Sequence, residues 1–305
     1  KMIRAVFNLV RLPNLLMIAA TMCLTRYCLI EKMLNLQGLW LNQSDLDFTL
    51  LVLSVVFIAA AGYMINDYFD TKTDSINKPE KVVVGREISR RQVMATHIIL
   101  NVLGIILGFY LAFKAQFIQL GFINLLSVGL LWFYSTTYKR RFLIGNIIIS
   151  LLAGILPILV GLFEPHFHYL KNGMYLVVGY AVFAFLISFI REIIKDMEDI
   201  EGDKADGCTT MPIVIGIKAS KLVALTFSLG VIGMIAYIQY IQFITKDIIS
   251  FWYFMLAIQL PFIWMFYKLL RAESKTEFHQ ASFFAKIVMM TGILSMIVFY
   301  MSLPA

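Results

Sequence analysis

Long apolar runs interrupted by short polar ones dominate this chain. Nine of them read as membrane-crossing helices, over residues 13–34, 48–66, 93–113, 117–137, 143–163, 173–190, 222–243, 250–267 and 283–302. Each is near the ~20 apolar residues that a bilayer core requires. A membrane β-barrel would instead show ~10-residue segments of alternating polarity, so the expected class is an all-α integral membrane protein. Gly104 and Gly108 form a G-x-x-x-G face suited to close helix approach. Pro157 and Pro261 fall inside spans five and eight, where kinks are expected.

Composition supports the pattern. Of 305 residues, 60% are hydrophobic and 15% charged, with mean hydropathy +0.81. Soluble domains carry about 25% charged residues, and this chain lacks the polar surface for that life. Cys23, Cys28 and Cys208 have neither disulfide-framework nor metal-ligand spacing. No cleavable leader with a small-residue exit site is evident.

Charge sets the orientation. With nine alternating spans, the N-terminus and the loops after spans two, four, six and eight share one side and, with Lys286 at the near end of span nine, carry 21 of the 26 Lys and Arg. Lys/Arg excess marks the cytoplasmic face. The expectation is an inner-membrane, multi-pass protein with its N-terminus in the cytoplasm. The net charge of +7 then reflects topology and anionic lipid headgroups; no nucleic-acid partner is called for.

Two polar stretches remain, both on the cytoplasmic side. "NDYFDTKTD" (66–74) follows span two and "KDMEDIEGD" (195–203) follows span six. Both read D-x-x-D-x-x-x-D: Asp67, Asp70 and Asp74, then Asp196, Asp199 and Asp203, 129 residues later (196 − 67). A single domain over 1–305 with a weak internal repeat is expected, each copy giving one acidic loop (66–91 and 191–221). On a continuous helix, residues 67, 70 and 74 fall within roughly 60° of one face, and Asn66 adds an oxygen beside them. One acidic helix end is ordinarily a solvated loop. Two copies of one spacing on one side point instead to a shared cation site. Oxygen-only ligands select hard ions, and Mg²⁺ is usually divided between a few carboxylates and substrate phosphates. Two such faces across a cavity would hold a diphosphate through Mg²⁺, with Lys81, Arg86, Lys139 and Arg140 available to its oxygens. His166 and His168 lie in an outward loop without carboxylates and read as surface residues.

"NDYFDTKTDSINKPEKVVVGREIS" and "REIIKDMEDIEGDKADGCTTMPIVIG" resemble the two signature regions of the UbiA-type intramembrane prenyltransferases. The similarity runs through the nine spans to "YSTTYKRR" after span four. It implies a nine-helix bundle around a central cavity with a cytoplasmic cap, and Mg²⁺-dependent transfer of a polyprenyl group from its diphosphate to a lipophilic acceptor. It further implies Asn66, Asp67, Asp70, Asp74, Asp196, Asp199 and Asp203 as metal ligands, with Asp70, Asp74, Asp196 and Asp199 carrying the catalysis. Tyr138, Lys139 and Arg140 match the family's tyrosine-and-basic segment and join Lys81 and Arg86 as substrate contacts. After Asn77-Lys78-Pro79-Glu80 many relatives continue Arg-Pro, whereas Lys81 and Val82 stand here, and a lysine lacks the planar fork of arginine. The form "REIIKDMEDIEGDK", with Asn14 in "RLPNLL" as a further substrate contact, is closest to the branch acting on geranylgeranylglyceryl phosphate. The alternatives are an aromatic quinone or pigment precursor as acceptor and, at a distance, a transporter. A transporter would place its acids near the bilayer midplane rather than at helix ends. Donor length and oligomeric state stay open.

Overall fold

The computed structural model describes residues 2–77 and 79–303; the side chains of Met2, Ile3, Lys81 and Tyr169 are not among those described. Among the described residues nine helices are long and apolar enough to cross a membrane: Leu12–Asn35, Asp45–Phe69, Arg90–Lys114, Ile118–Thr136, Ile144–Leu162, Lys171–Glu198, Ile217–Ile244, Ile248–Arg271 and Lys275–Ser302. They are called spans one to nine below.

Most ends agree with the apolar runs, and the two exceptions have a common cause. Span six continues past residue 190 to Glu198 because Ile190, Ile193, Ile194 and Met197 keep one face buried beneath the charges. Span nine starts at Lys275, where Ser274 and Glu277 form a capping box. Phe278, Ala281 and Ala285 then carry its buried face up to the apolar run. The irregularity expected at Pro261 appears as a π turn over Phe254–Gln259 just before it, where the missing N–H is absorbed. Pro157 sits within an uninterrupted helix.

Two large apolar clusters hold the bundle, with a smaller third around Leu9, Met64, Val84 and Val93. One gathers spans six to nine around Ile190, Ile194, Phe262 and Ala281; the other joins spans one, two, three and five around Met22, Leu51, Leu111 and Phe163. Side chains such as Phe113, Leu126, Tyr175 and Phe243 face outward, as lipid-facing positions must. Between the clusters lies a central cavity of about 1030 Å³, walled by spans one, two, four, five, six and nine. Spans three, seven and eight pack outside this wall. Gly104 and Gly108 bring span three against spans two and four: a Cβ at Gly104 would strike Ile58, and one at Gly108 would strike Asn124.

Short helices cap one end of the cavity: Thr71–Asn77 after span two, and Ile200–Ala205 and Met211–Val214 after span six. Asn77 ties the two loops together. Its Nδ2 donates to the Asp199 carbonyl at 3.1 Å, and its Oδ1 accepts from the Gly202 N–H at 3.2 Å. Lys72 and Arg140 both pair with Asp206, at 3.4 and 2.8 Å.

Candidate functional site

The two acidic segments fold alike, though not as continuous helices. Asn66 and Asp67 occupy the last turn of span two; Asp70 caps it with φ −85°, ψ 0°, and Asp74 follows in the first turn of Thr71–Asn77. Asp196 lies in the last turn of span six, Asp199 caps it with φ −98°, ψ 9°, and Asp203 follows in Ile200–Ala205. Each turn is closed by the same bond, Asp74 N–H to the Asp70 carbonyl (2.8 Å) and Asp203 N–H to the Asp199 carbonyl (3.2 Å). The single 60° face expected from spacing is therefore corrected to a helix, a break and a second helix. The Asn77 side chain bridges the two turned segments through the Asp199 carbonyl and the Gly202 N–H.

Asn66 and all six aspartates line the central cavity. The segments face each other electrostatically. Burial pushes the Asp203 carboxyl up to about 6, and the charges of Asp199 and of Asp70, from the other segment, push in the same direction. Partial compensation comes from several neighbours. Arg11 pairs with Asp67 at 2.9 Å, and Lys139 with Asp70. Asn66 donates to Asp70 at 2.6 Å, and Asn146 to Asp196 at 2.8 Å. Among the described residues no three His, Cys, Asp or Glu side chains converge as a preformed metal centre. The donor set still suits a hard divalent ion: it is all oxygen, mutually repelling, and spread over two walls. Such an ion takes one or two carboxylates and completes its shell with phosphate oxygens and water.

The expected substrate contacts divide. Asn14, Lys139 and Arg140 line the cavity; Arg86 and Tyr138 are not among its lining residues. Val83 and Val84 are buried and the loop folds back, with the Gly85 N–H on the Ile88 carbonyl. That leaves Arg86 exposed, donating to the Pro79 carbonyl at 2.8 Å. Tyr138 belongs to the one-turn 3₁₀ helix Tyr138–Arg140. With three residues per turn, Lys139 and Arg140 turn inward while Tyr138 packs on Phe133, ring centroids 6.0 Å apart. The side chain of Lys81 lies outside those described. His166 and His168 bond to the Trp40 and Leu162 carbonyls, as loop residues do.

Residues not singled out in the sequence also line the cavity, among them Arg11, Arg191, Lys286, Glu198 and His279. His279 Nδ1 lies 2.9 Å from Glu198 Oε1. Arg191 and Lys286 had been counted with the orientation charges. An ionisable residue inside a span is the signal for Lys286, within the apolar run 283–302, whereas Arg191 falls one residue beyond the run that ends at 190. Farther from the cap the wall turns apolar, with Val55, Ile58, Leu156, Phe183 and Met296.

The model of the UbiA prenyltransferase family matches residues 36–290. The chain belongs to that family. It is 39% identical over 185 residues to the digeranylgeranylglyceryl phosphate synthase of Methanothermobacter thermautotrophicus, an alignment covering 60% of this chain and 62% of the relative. A solved structure concerned with digeranylgeranylglyceryl phosphate synthase in membranes superposes with a TM-score of 0.66 at 27% identity, covering 99% of both chains. A UbiA homologue from Archaeoglobus fulgidus, solved bound to DMAPP and Mg²⁺, shares the fold with a TM-score of 0.57 at 15% identity, over 95% of this chain and 98% of the other. This UbiA-family chain is thus a multi-pass helical membrane protein.

Proposed function

We propose that the protein transfers a polyprenyl group from its diphosphate to the hydroxyl of geranylgeranylglyceryl phosphate or a closely related glycerol-phosphate lipid. The observation that carries this is the pair of like-folded aspartate segments on facing walls of one cavity that continues into apolar surface. Such a cavity suits a ligand with a charged head and a long hydrocarbon tail. The named relatives support the glycerol-phosphate acceptor.

Asn66, Asp67, Asp70, Asp74, Asp196, Asp199 and Asp203 would hold Mg²⁺, and Lys139 and Arg140 would meet diphosphate oxygens. The ion, once bound, neutralises charge developing on the departing diphosphate. The remaining work falls to the chain itself. Lys139, already beside Asp70, supplies a positive charge at that leaving group. The apolar wall keeps water from the allylic cation left when the C1–O bond breaks with its electron pair going to the diphosphate. The acceptor oxygen then bonds to C1, and its proton leaves on a base; the second acidic segment offers carboxylates for this. The cap, with the N-terminus, lies on the cytoplasmic side by the Lys/Arg bias, and the two segments descend from an internal repeat.

The test is an acceptor panel with radiolabelled geranylgeranyl diphosphate and Mg²⁺, followed by product identification. Label entering the glycerol-phosphate lipid is expected. Label entering only hydroxybenzoate- or naphthoate-type acceptors would overturn the acceptor, and no diphosphate release with any acceptor would overturn prenyl transfer.

A further inference from the structure

Next to the acidic segments the same cavity carries a basic group that the metal–diphosphate chemistry leaves unused. Lys286 stands three turns inside span nine, and its Nζ donates to Asn14 Oδ1 at 3.0 Å. Among the described residues no carboxylate lies within ion-pair distance of it. Arg191, near the end of span six, and Arg11, just before span one, line the same cavity, and besides its burial both act against its ammonium. Arg191 reaches its neighbour Glu192 at 3.3 Å, while its Nε is buried without a hydrogen-bond partner. Arg11 holds a left-handed backbone, φ 52°, a conformation that side chains resist and that tends to persist where function over-determines it. Its guanidinium pairs with Asp67 and lies 5.0 Å from the centre of the Tyr63 ring.

Of these three cations Arg11 and Arg191 each meet a carboxylate, Asp67 and Glu192, whereas Lys286 meets the Asn14 amide, in a site walled by apolar helices. Excess charge of one sign is as unfavourable there as it is among the aspartates. An anion is the natural complement. Arginine forks and an ammonium match phosphate oxygens, and the Asn14 amide, accepting from Lys286 and also hydrogen-bonded to Tyr63, sits beside them.

We propose that Lys286, Arg191, Arg11 and Asn14 form a second anion site, which takes the phosphomonoester head of the acceptor lipid. The inference rests on the glycerol-phosphate acceptor argued above. Arg11 links the two sites: it pairs with Asp67 of the metal segment while repelling Lys286 of the phosphate site. A head held there keeps the glycerol hydroxyl, a few bonds from the phosphate, beside the departing diphosphate.

The test measures binding rather than turnover. Radiolabelled geranylgeranylglyceryl phosphate is titrated into the purified protein without Mg²⁺, in parallel with geranylgeranylglycerol, which lacks the phosphate. Geranylgeranyl thiodiphosphate with Mg²⁺ serves as the probe of the metal site and of folding. The wild type is expected to prefer the phosphorylated lipid. Lys286→Gln should weaken that lipid at least tenfold and leave thiodiphosphate binding within twofold, and Lys286→Arg should restore the lipid. Unaltered lipid binding in Lys286→Gln, or equal weakening of both ligands, overturns the inference. If the wild type still prenylates the lipid, the acceptor reading survives that result. Indifference of the wild type to the phosphate overturns the inference, and the acceptor reading falls with it only when the lipid is not prenylated either.

Discussion

Buried acids occur at both ends of this bundle, and they are treated in opposite ways. Away from the cap each is closed by nearby donors. Glu164, 1% exposed, accepts the backbone N–H groups of Asn42 and Gln43 at 2.8 and 3.1 Å. Asp47 takes Lys114 on both oxygens at 2.8 Å and Ser44 at 2.6 Å. These contacts fasten the loops to the helix ends and leave no capacity over. At the cap, acids stand among acids: Asp203 meets the charges of Asp199 and Asp70 in one cavity. Carboxylates satisfied by their own fold hold structure together; carboxylates gathered against each other's repulsion are placed for something that arrives from outside.

That contrast can be broken most directly at the helix breaks. Asp70→Ala and Asp199→Ala should each lower prenyl transfer by on the order of 10³-fold or more, with helicity and detergent elution unchanged; wild-type turnover in both would refute the metal assignment. Lys139→Ala, removing one positive charge beside Asp70, should reduce kcat by roughly 10²-fold, measured at saturating donor.

Acid should act at the cap. Because burial and its like-charged neighbours raise the Asp203 carboxyl to about 6, it takes up a proton as pH falls through that value, and a metal must then displace the proton. Mg²⁺ affinity, followed by calorimetry, should drop by up to roughly tenfold per pH unit below 6. In the metal-free protein the sign reverses. The folded state binds the proton more tightly than the unfolded state does, so Asp203 contributes stability that grows as pH falls from about 6 towards the ordinary carboxylate value and is lost as pH rises through 6.

Gly202→Ala would set a Cβ 2.3 Å from Asn77 Nδ2 and loosen the tie between the segments, costing roughly tenfold in rate. At the other end, Glu164→Ala should lower the melting temperature by orphaning two N–H groups, at about 1–3 kcal/mol each. Its rate per folded molecule should equal the wild type; a loss there comparable to that in Asp199→Ala would erase the distinction between the two ends.

The sequence spoke clearly where one physical requirement dominates. Nine apolar stretches must become helices in lipid, and the spans lie close to them. It spoke less clearly where tertiary contacts decide. Ile193, Ile194 and Met197 continue the buried face of span six beneath Lys195, Asp196 and Glu198, so charge density alone ended that span eight residues early. No glycine or proline stands at the breaks at Asp70 and Asp199, and the contact that joins the two segments, Asn77 with the Asp199 carbonyl and Gly202 N–H, is tertiary. The spacing of the aspartates was legible, but their arrangement about a break was not. Lys286 was hidden by the same ambiguity as the start of span nine, since a lysine near a helix end reads as an orientation charge until the capping box moves that end outward. Arg86 and Tyr138 show the converse: the right residue type beside the right motif, turned away by the folding of a short loop.

The central claim is that the two acidic segments act together, gripping one diphosphate through divalent ions. Counting Mn²⁺ bound to the purified protein by electron paramagnetic resonance, with and without geranylgeranyl thiodiphosphate, tests it most directly. Metal uptake should rise when the thiodiphosphate is added, and either Asp70→Ala or Asp199→Ala alone should abolish that rise. Ligand-dependent uptake that persists in either variant would mean that the segments work separately, and would contradict the account.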